Sequence, residues 1–354
     1  MNKILVDLKN DSYPIYFLDT TDKMSQIDSV FEKYNKILIV TDDVVSNLYL
    51  KVFESYLLQK KHNVQHFVFK HGESSKNIEV ATSAIDYLAK NDFHRNDLII
   101  ALGGGVVGDL AGFVSSIYMR GIDFIQIPTT LLAAVDASIG GKTAIDIKYG
   151  KNLVGTFHQP VAVIEIYSIL KDLPDKLMIE GSSEIIKYGV IYDSTILDDY
   201  LSNFEENLKN IIFKSALAKA DVVSKDEKEN GLRKILNFGH TLAHSIEECS
   251  KHQISHGTAV AYGMVFSLFV SYKENICSLG YYKYVRNVIL SRHSLSLLMY
   301  KVDDLIFYMR KDKKNTNANI TFVLSDGKNN FIRLFKEEKI REYLDLFINN
   351  EQNY

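Results

Sequence analysis

The sequence predicts a two-domain protein, an α/β half built on a parallel sheet followed by a half made mainly of helices. Through the first half, short runs rich in Ile, Val and Phe alternate with helix-length segments, the pattern of a parallel sheet covered by helices. From Pro174 onward helical periodicity takes over. At 354 residues the chain is also too long for one typical core. The change falls at Asp172-Leu173-Pro174, which gives domains of 1–172 and 173–354.

In chain order, Lys36 to Val40, Val64 to Phe69, Leu98 to Leu102, Phe124 to Ile127 and Val161 to Ile166 read as strands, with helices near 44–60 and 75–91 between the early ones. Past the boundary, segments near 175–192, 195–209, 210–228, 237–250, 256–278, 281–297, 301–310 and 336–349 read as helices, with one late strand at Ile320 to Leu324. No repeat or low-complexity linker separates the halves, so closely packed domains with a cleft between them are expected.

Composition narrows the function classes. Hydrophobic residues at 46% and charged residues at 24% are ordinary for a soluble globular chain. With 41 Lys plus Arg against 44 Asp plus Glu, the net charge of −3 gives no nucleic-acid surface. Two cysteines, Cys249 and Cys277, exclude a disulfide framework and suit a reducing compartment. The N-terminal apolar run is broken by Asp7, Lys9 and Asp11, unlike a secretory signal, and no apolar run is long enough to span a membrane. The expectation is a cytoplasmic protein.

The first chemically informative stretch is Gly103-Gly104-Gly105-Val106-Val107-Gly108-Asp109, placed between the strand LIIAL and a helix. Glycines at such a turn let the backbone approach a pyrophosphate, and the helix N-terminus offers N–H groups and a positive dipole. The spacing departs from GxGxxG, and the turn follows a later strand than the first. Asp42, ending KILIVTD, sits where an acid bonds a ribose hydroxyl, which favours NAD over its 2′-phosphorylated form. Gly140-Gly141-Lys142-Thr143 ends like a P-loop, but Asp136 stands where the first glycine of that motif belongs. What remains is a loop dense in cations, Lys142, Lys148 and Lys151 near Asn152, suited either to solvent or to an anionic substrate.

Three histidines, His240, His244 and His256, lie in the stretch Arg233 to Gly263. Two neutral imidazoles with one carboxylate, for which Glu184 is a candidate, make a three-ligand metal set with a coordination position left open. The alternative pair, His240 with His244, has HExxH spacing, but Thr241 stands where the glutamate base belongs. Glu184 with Lys187 and Glu229 with Arg233 are equally explained as helix-surface pairs.

The succession GGGVVGDLAGF, YMRGIDFIQIPTTLLAAVDASIGGKTAID, GKNLVGTFHQP, EIIKYG, DEKENGLRKILNFGHT and HGTAVAYGM resembles the 3-dehydroquinate synthase family, in register from about Asp42 to Leu324. The resemblance implies an N-terminal Rossmann-like α/β domain, an all-α C-terminal domain, a homodimer, bound NAD and a divalent metal, zinc or cobalt. It implies a sugar phosphate substrate, 3-deoxy-D-arabino-heptulosonate 7-phosphate, converted to 3-dehydroquinate and phosphate. The implied metal ligands are Glu184, His240 and His256, which leaves His244 as a substrate or proton-transfer group. NAD contacts match Asp42, the loop His71, Gly72, Glu73, Ser74, Ser75 and Lys76, the turn Gly105, Val106, Val107, Gly108 and Asp109, then Thr129, Thr130, Lys142, Lys151 and the segment Ile169, Leu170, Lys171 and Asp172. Substrate and catalytic positions match Arg120, Asp136, Lys142, Asn152, Lys187, Lys219, Glu229, Arg233 and Asn237, with Lys313 or Lys314 near the C-terminus. In the family the counterpart of Arg120 serves the other subunit's site. Departures are few, among them Ala137, Ser182-Ser183 and Ala243. Two rival functions share parts of this pattern: another sugar phosphate cyclase, disfavoured by Lys219 and Arg233 if its substrate has no carboxylate, and a metal-dependent alcohol dehydrogenase.

Overall fold

In the computed structural model, which describes residues 2–251, 253–294, 300–311 and 319–350, the chain divides into two compact units, Met1–Pro174 with Lys219–Lys228, and Asp175–Ala218 with Glu229–Tyr354. The first unit holds strands β1 (Asn2–Val6), β2 (Tyr13–Leu18), β3 (Lys36–Asp42), β4 (Asn63–Phe69), β5 (Leu98–Gly103), β6 (Asp123–Pro128), β7 (Lys142–Ile147), β8 (Gly150–Phe157) and β9 (Ala162–Ile166). Its helices are α1 (Asp43–Val45), running through a π turn at Ser46–Leu50 into α2 (Lys51–Gln59), then α3 (Ile78–Lys90), α4 (Gly105–Ile117) and α5 (Tyr167–Leu170).

Seven strands form one sheet in the order β1-β2-β9-β6-β5-β3-β4, parallel except for the β1–β2 pair. Alternation along each strand sends side chains to both faces. Ile37, Ile39, Ile100, Ile125 and Ile164 join a core with Phe53 and Leu57 of α2. Leu38, Val40, Ile99, Ala101 and Phe124 pack instead with Ala84 and Leu88 of α3 and Leu110 and Val114 of α4. A strand covered on both faces reads as a continuous apolar run, and every residue of β5 is buried.

The order explains the late position of the glycine turn. From β3 the chain goes outward to β4, then returns to β5 on the other side of β3. The sheet therefore reverses between β3 and β5, and the carboxyl ends of strands flanking such a reversal are where open α/β sheets bind ligands. Asp42 ends β3 and Gly103 ends β5.

Two hairpins of this unit were not read from the sequence. β1 and β2 pair antiparallel at the sheet edge, with Asp7, Lys9 and Asp11 in the connection between them. Five residues, of which only Ile4 and Val6 are buried, carry too little pattern to stand out. The cation-rich loop is the β7–β8 hairpin, with Lys148 and Tyr149 at its tip.

The second unit is helical: α6 (Asp175–Ile191), α7 (Thr195–Ser202), most of α8 (Phe204–Lys225), α9 (His240–Cys249), α10 (His256–Lys273), α11 (Leu279–Leu290), α12 (Val302–Lys311) and α13 (Glu337–Asn350). It also holds one antiparallel pair, β10 (Asn319–Ser325) with β11 (Asn330–Lys336). Strand β11 is absent from the sequence reading because Ile332, Arg333 and Leu334 are all exposed, which hides any alternation. Helix α10 is buried all round from Ala259 to Ser271 and packs against α6, α9 and α11. Lys313 and Lys314 lie outside the described residues.

Candidate active site

Three helices of the second unit each deliver one polar side chain to a common point. Glu184 comes from the middle of α6, His240 opens α9 and His256 opens α10. Glycines set the spacing. A Cβ on Gly257 would lie 2.2 Å from the Glu180 carbonyl oxygen, so only glycine lets α10 start this close to α6. A Cβ on Gly263 would lie 1.7 Å from the Gly239 carbonyl oxygen, and Gly239 itself has φ +80°, so α9 and α10 touch backbone to backbone. Ser255 caps α10, its hydroxyl accepting from the Thr258 N–H.

The ligand atoms of Glu184, His240 and His256 all lie within 4.8 Å of one another. Glu184 is 1% exposed and its Oε1 accepts no hydrogen bond. That oxygen is 3.6 Å from His240 Nε2 and 3.7 Å from His256 Nε2. These separations are too long for hydrogen bonds, yet near the ~3.4 Å between two ligand atoms held 2.0–2.2 Å from one tetrahedral ion. An orphaned buried carboxylate oxygen facing two imidazole nitrogens therefore fits a divalent cation. The other ring nitrogens are held from behind: His240 Nδ1 lies 3.0 Å from the Phe238 carbonyl oxygen, and His256 Nδ1 lies 3.4 Å from Glu247 Oε1. Such partners select the tautomer that turns Nε2 to a metal. Burial pushes the His256 imidazole pKa down, but Glu184 and Glu247 outweigh it and hold the ring up to about 10. A metal ion would take the place of that proton.

His244 is not part of this set; its ring is 5.7 Å from that of His240. Lys187, as buried as Glu184, pairs with Glu184 Oε2. Arg233 is 1% exposed, and Asn237 Nδ2 donates to Glu229 Oε1 at 2.5 Å.

In the first unit, α4 begins with Gly104 as its N-cap, a residue with no side chain to bond the first-turn N–H groups, which suits them to an anion. Thr129 N–H donates to the Gly103 carbonyl at 3.0 Å and ties the loop after β6 to the glycine turn. Asp42 Oδ1 accepts from the Val44 and Val45 N–H groups, so one oxygen of this acid is committed to capping α1. Asp43 accepts from both the backbone and the ring of His71, anchoring the loop that runs to Lys76. Ile169 and Leu170 are core residues, whereas Lys171 and Asp172 are exposed. Lys219 Nζ donates to Asp136 Oδ1 at 2.9 Å. Lys151 lies 3.7 Å from Glu73. Lys142 and Arg120 are exposed.

Backbone strain gives an independent signal. Among the described residues eight non-glycine positions have positive φ, and three of them are sequence candidates: Arg120 at +67°, Asn152 at +53° and Glu229 at +60°. Non-glycine residues persist there only when their surroundings hold them, and such residues cluster at functional sites. Sequence reasoning missed Glu247. Glu247 lies two helical turns beyond His240, a spacing that points at it, but Glu248 beside it is equally acidic and only the fold separates them.

A parallel sheet with a glycine turn where it reverses, followed by a helical unit, is a fold shared with solved sugar phosphate cyclases and, at lower similarity, with iron-containing alcohol dehydrogenases. Solved structures agree in fold. 2-Deoxy-scyllo-inosose synthase in complex with carbaglucose-6-phosphate, NAD+ and Co2+ superposes with a TM-score of 0.85 at 23% identity over 97% of this chain and 99% of that one. 2-Epi-5-epi-valiolone synthase from Streptomyces hygroscopicus subsp. jinggangensis, with NAD+ and Zn2+ bound, gives 0.86 at 22% identity over 97% and 98%. Family models narrow this further, that of 3-dehydroquinate synthase N-terminal matching residues 66–180 and that of 3-dehydroquinate synthase C-terminal matching 181–315. The 3-dehydroquinate synthase of Thermoanaerobacter sp. strain X514 is 41% identical over 92% of this chain and 95% of its own length. The chain belongs to the 3-dehydroquinate synthase family.

Proposed function

We propose that this protein converts 3-deoxy-D-arabino-heptulosonate 7-phosphate to 3-dehydroquinate and phosphate, as a carbon–oxygen lyase. The observation that carries the reading is the Glu184–His240–His256 triad in a chain of this family. When bound, a zinc or cobalt ion at the triad acidifies the substrate's secondary hydroxyl, and NAD+ in the first unit takes up and later returns the hydride.

The chain's own residues do the rest. The open first turn of α4 meets the dinucleotide pyrophosphate, and Asp42 Oδ2, the oxygen not used in capping, meets a ribose hydroxyl. The His71–Lys76 loop, Thr129, Thr130, Lys151 and the Ile169–Asp172 segment complete that site. The substrate is anionic at both ends. Lys142, Lys219 and Arg233 fix the carboxylate; Arg120, Asn152, His244 and a lysine of the pair Lys313/Lys314 hold the phosphate. Oxidation beside the carbon that loses a proton makes that proton acidic, so phosphate leaves by β-elimination. His244 is the group assigned to move protons near the phosphate, and Asp136 and Glu229 orient Lys219 and Asn237. Re-reduction, ring opening and an intramolecular aldol closure then give the carbocycle. Firm holding at both ends keeps the intermediate from drifting between steps.

The same reading carries a homodimer, with Arg120 serving the partner's site, and a cytoplasmic location that the free thiols of Cys249 and Cys277 suit. The test is to mix the protein with the heptulosonate phosphate, NAD+ and Zn2+ or Co2+. Phosphate and dehydroquinate are expected in equal amounts with no net NADH. Folded, metal-loaded protein that yields neither product overturns the proposal. Net NADH points instead to an alcohol dehydrogenase.

A further inference from the structure

Asn152 stands in a network of the first unit that none of its assigned contacts accounts for. Lys76 is 4% exposed, and its Nζ lies 2.6 Å from Asp109 Oδ2 and donates to Asn152 Oδ1 at 2.6 Å. The Asn152 backbone N–H donates to Asp146 Oδ1 at 2.8 Å. Asp146 in turn donates its own N–H to the Lys76 carbonyl at 2.7 Å, where the chain beside Lys76 bridges to β7. The ring of contacts is closed: the Lys76 ammonium meets the Asn152 side chain directly, and the Lys76 carbonyl reaches the Asn152 backbone through Asp146.

Two physical consequences follow. An ammonium has donors and no acceptor, so it can face only the oxygen end of a carboxamide, which fixes the orientation of the Asn152 amide. Its nitrogen, a donor only, is the end turned away from Lys76 and suited to phosphate, which offers only acceptors when ionised. The second consequence concerns the backbone. Asn152 has φ +53°, and the Asp146 carboxylate receives the N–H of that left-handed residue. With Asp109 and Asn152 on its ammonium, Lys76 acts as a strut between the glycine-turn helix and the β7–β8 hairpin.

We propose that Lys76 and Asp146 are positioning residues for the substrate's phosphate, holding Asn152 so that its amide nitrogen is the phosphate-facing end. The inference deepens the proposed function and rests on Asn152 meeting phosphate there.

The experiment is steady-state kinetics on the full chain loaded with NAD and metal, comparing wild type with D146A, D146N, N152A and the two Asp146 variants each combined with N152A. D146A is expected to raise KM for the sugar phosphate by about tenfold with a smaller fall in kcat, since a misplaced contact loses rate steeply. NAD affinity is expected to shift less than the sugar phosphate KM, because Asp146 bonds Asn152 directly and touches the nucleotide loop only at Glu73 and the Lys76 carbonyl. D146N, whose side-chain oxygen still accepts the Asn152 N–H, recovers most of the loss. In the N152A background neither Asp146 variant adds a further loss. Wild-type kinetics for D146A, or losses that multiply in the double variants, overturn the positioning role. Should D146A fail to fold, D146S, whose oxygen is too short to reach the Asn152 N–H, gives the same cycle with N152A. Turnover by the wild type keeps the claims apart: no phosphate release sinks the functional reading, whereas normal turnover with multiplying losses sinks this one alone.

Discussion

Glu165 is a carboxylic acid in the wrong place for stability. It is 2% exposed in β9, and neither side-chain oxygen makes a hydrogen bond. Burial pushes its pKa well above the ordinary carboxylate value, so the folded chain keeps a proton that the unfolded chain releases near pH 4. The folded state therefore binds more protons above that pH, and its stability falls as pH rises, by at most about 1.4 kcal/mol per unit, until the raised pKa is passed. Glu165→Leu is expected to raise stability at pH 8 by about 1–3 kcal/mol and to flatten this dependence. Chemical denaturation of both proteins from pH 5 to pH 8 measures it, and parallel curves would count against the assignment. Glu247 makes the opposite case, a buried acid with a task. Glu247→Ala is expected to weaken zinc binding about 10–100-fold in a chelator competition while the far-ultraviolet spectrum is unchanged, because His256 loses the carboxylate behind Nδ1.

Helix α10 sets the geometry of the triad through contacts that have no side chain in them. Gly257→Ala puts a methyl group into the Glu180 carbonyl, a clash with backbone that no rotamer relieves. The helices must separate, and we expect a loss of about 2–4 kcal/mol in urea unfolding together with weaker metal binding. Gly280→Ala in α11 is the control. Its added carbon meets nothing closer than Ser278 Oγ at 3.8 Å, so its effect should stay within about 0.5 kcal/mol. Equal effects of the two would remove the packing argument. These elements also show how much was legible beforehand. Strands β3, β5, β6 and β9 and helix α10 stand out because burial on both sides makes each a continuous apolar run. β1 and β11 were missed because short strands with exposed, mixed side chains have little period to show.

The two compact units hold different features, a parallel sheet with the glycine turn in one and the Glu184–His240–His256 cluster in the other. His256→Ala should therefore abolish tight zinc binding and turnover while the reduced dinucleotide NADH still binds, as followed by its nicotinamide fluorescence. Full activity with unchanged metal content would show the ligand assignment to be wrong. Residue types and their order were enough to define the architecture, the family, the glycine turn and the imidazole candidates, because apolar periodicity and long motifs are local properties of a chain. They left His240 with two possible partners, and they said nothing of Glu247 behind His256, of Asp146 behind Asn152, or of the end of α8 joining the first unit. Those facts depend on which distant residues meet: Glu184 lies 56 residues before His240, and their separation is set by backbone packing at Gly257 and Gly263. Such packing exists only once the helices have assembled, so no window of sequence contains it.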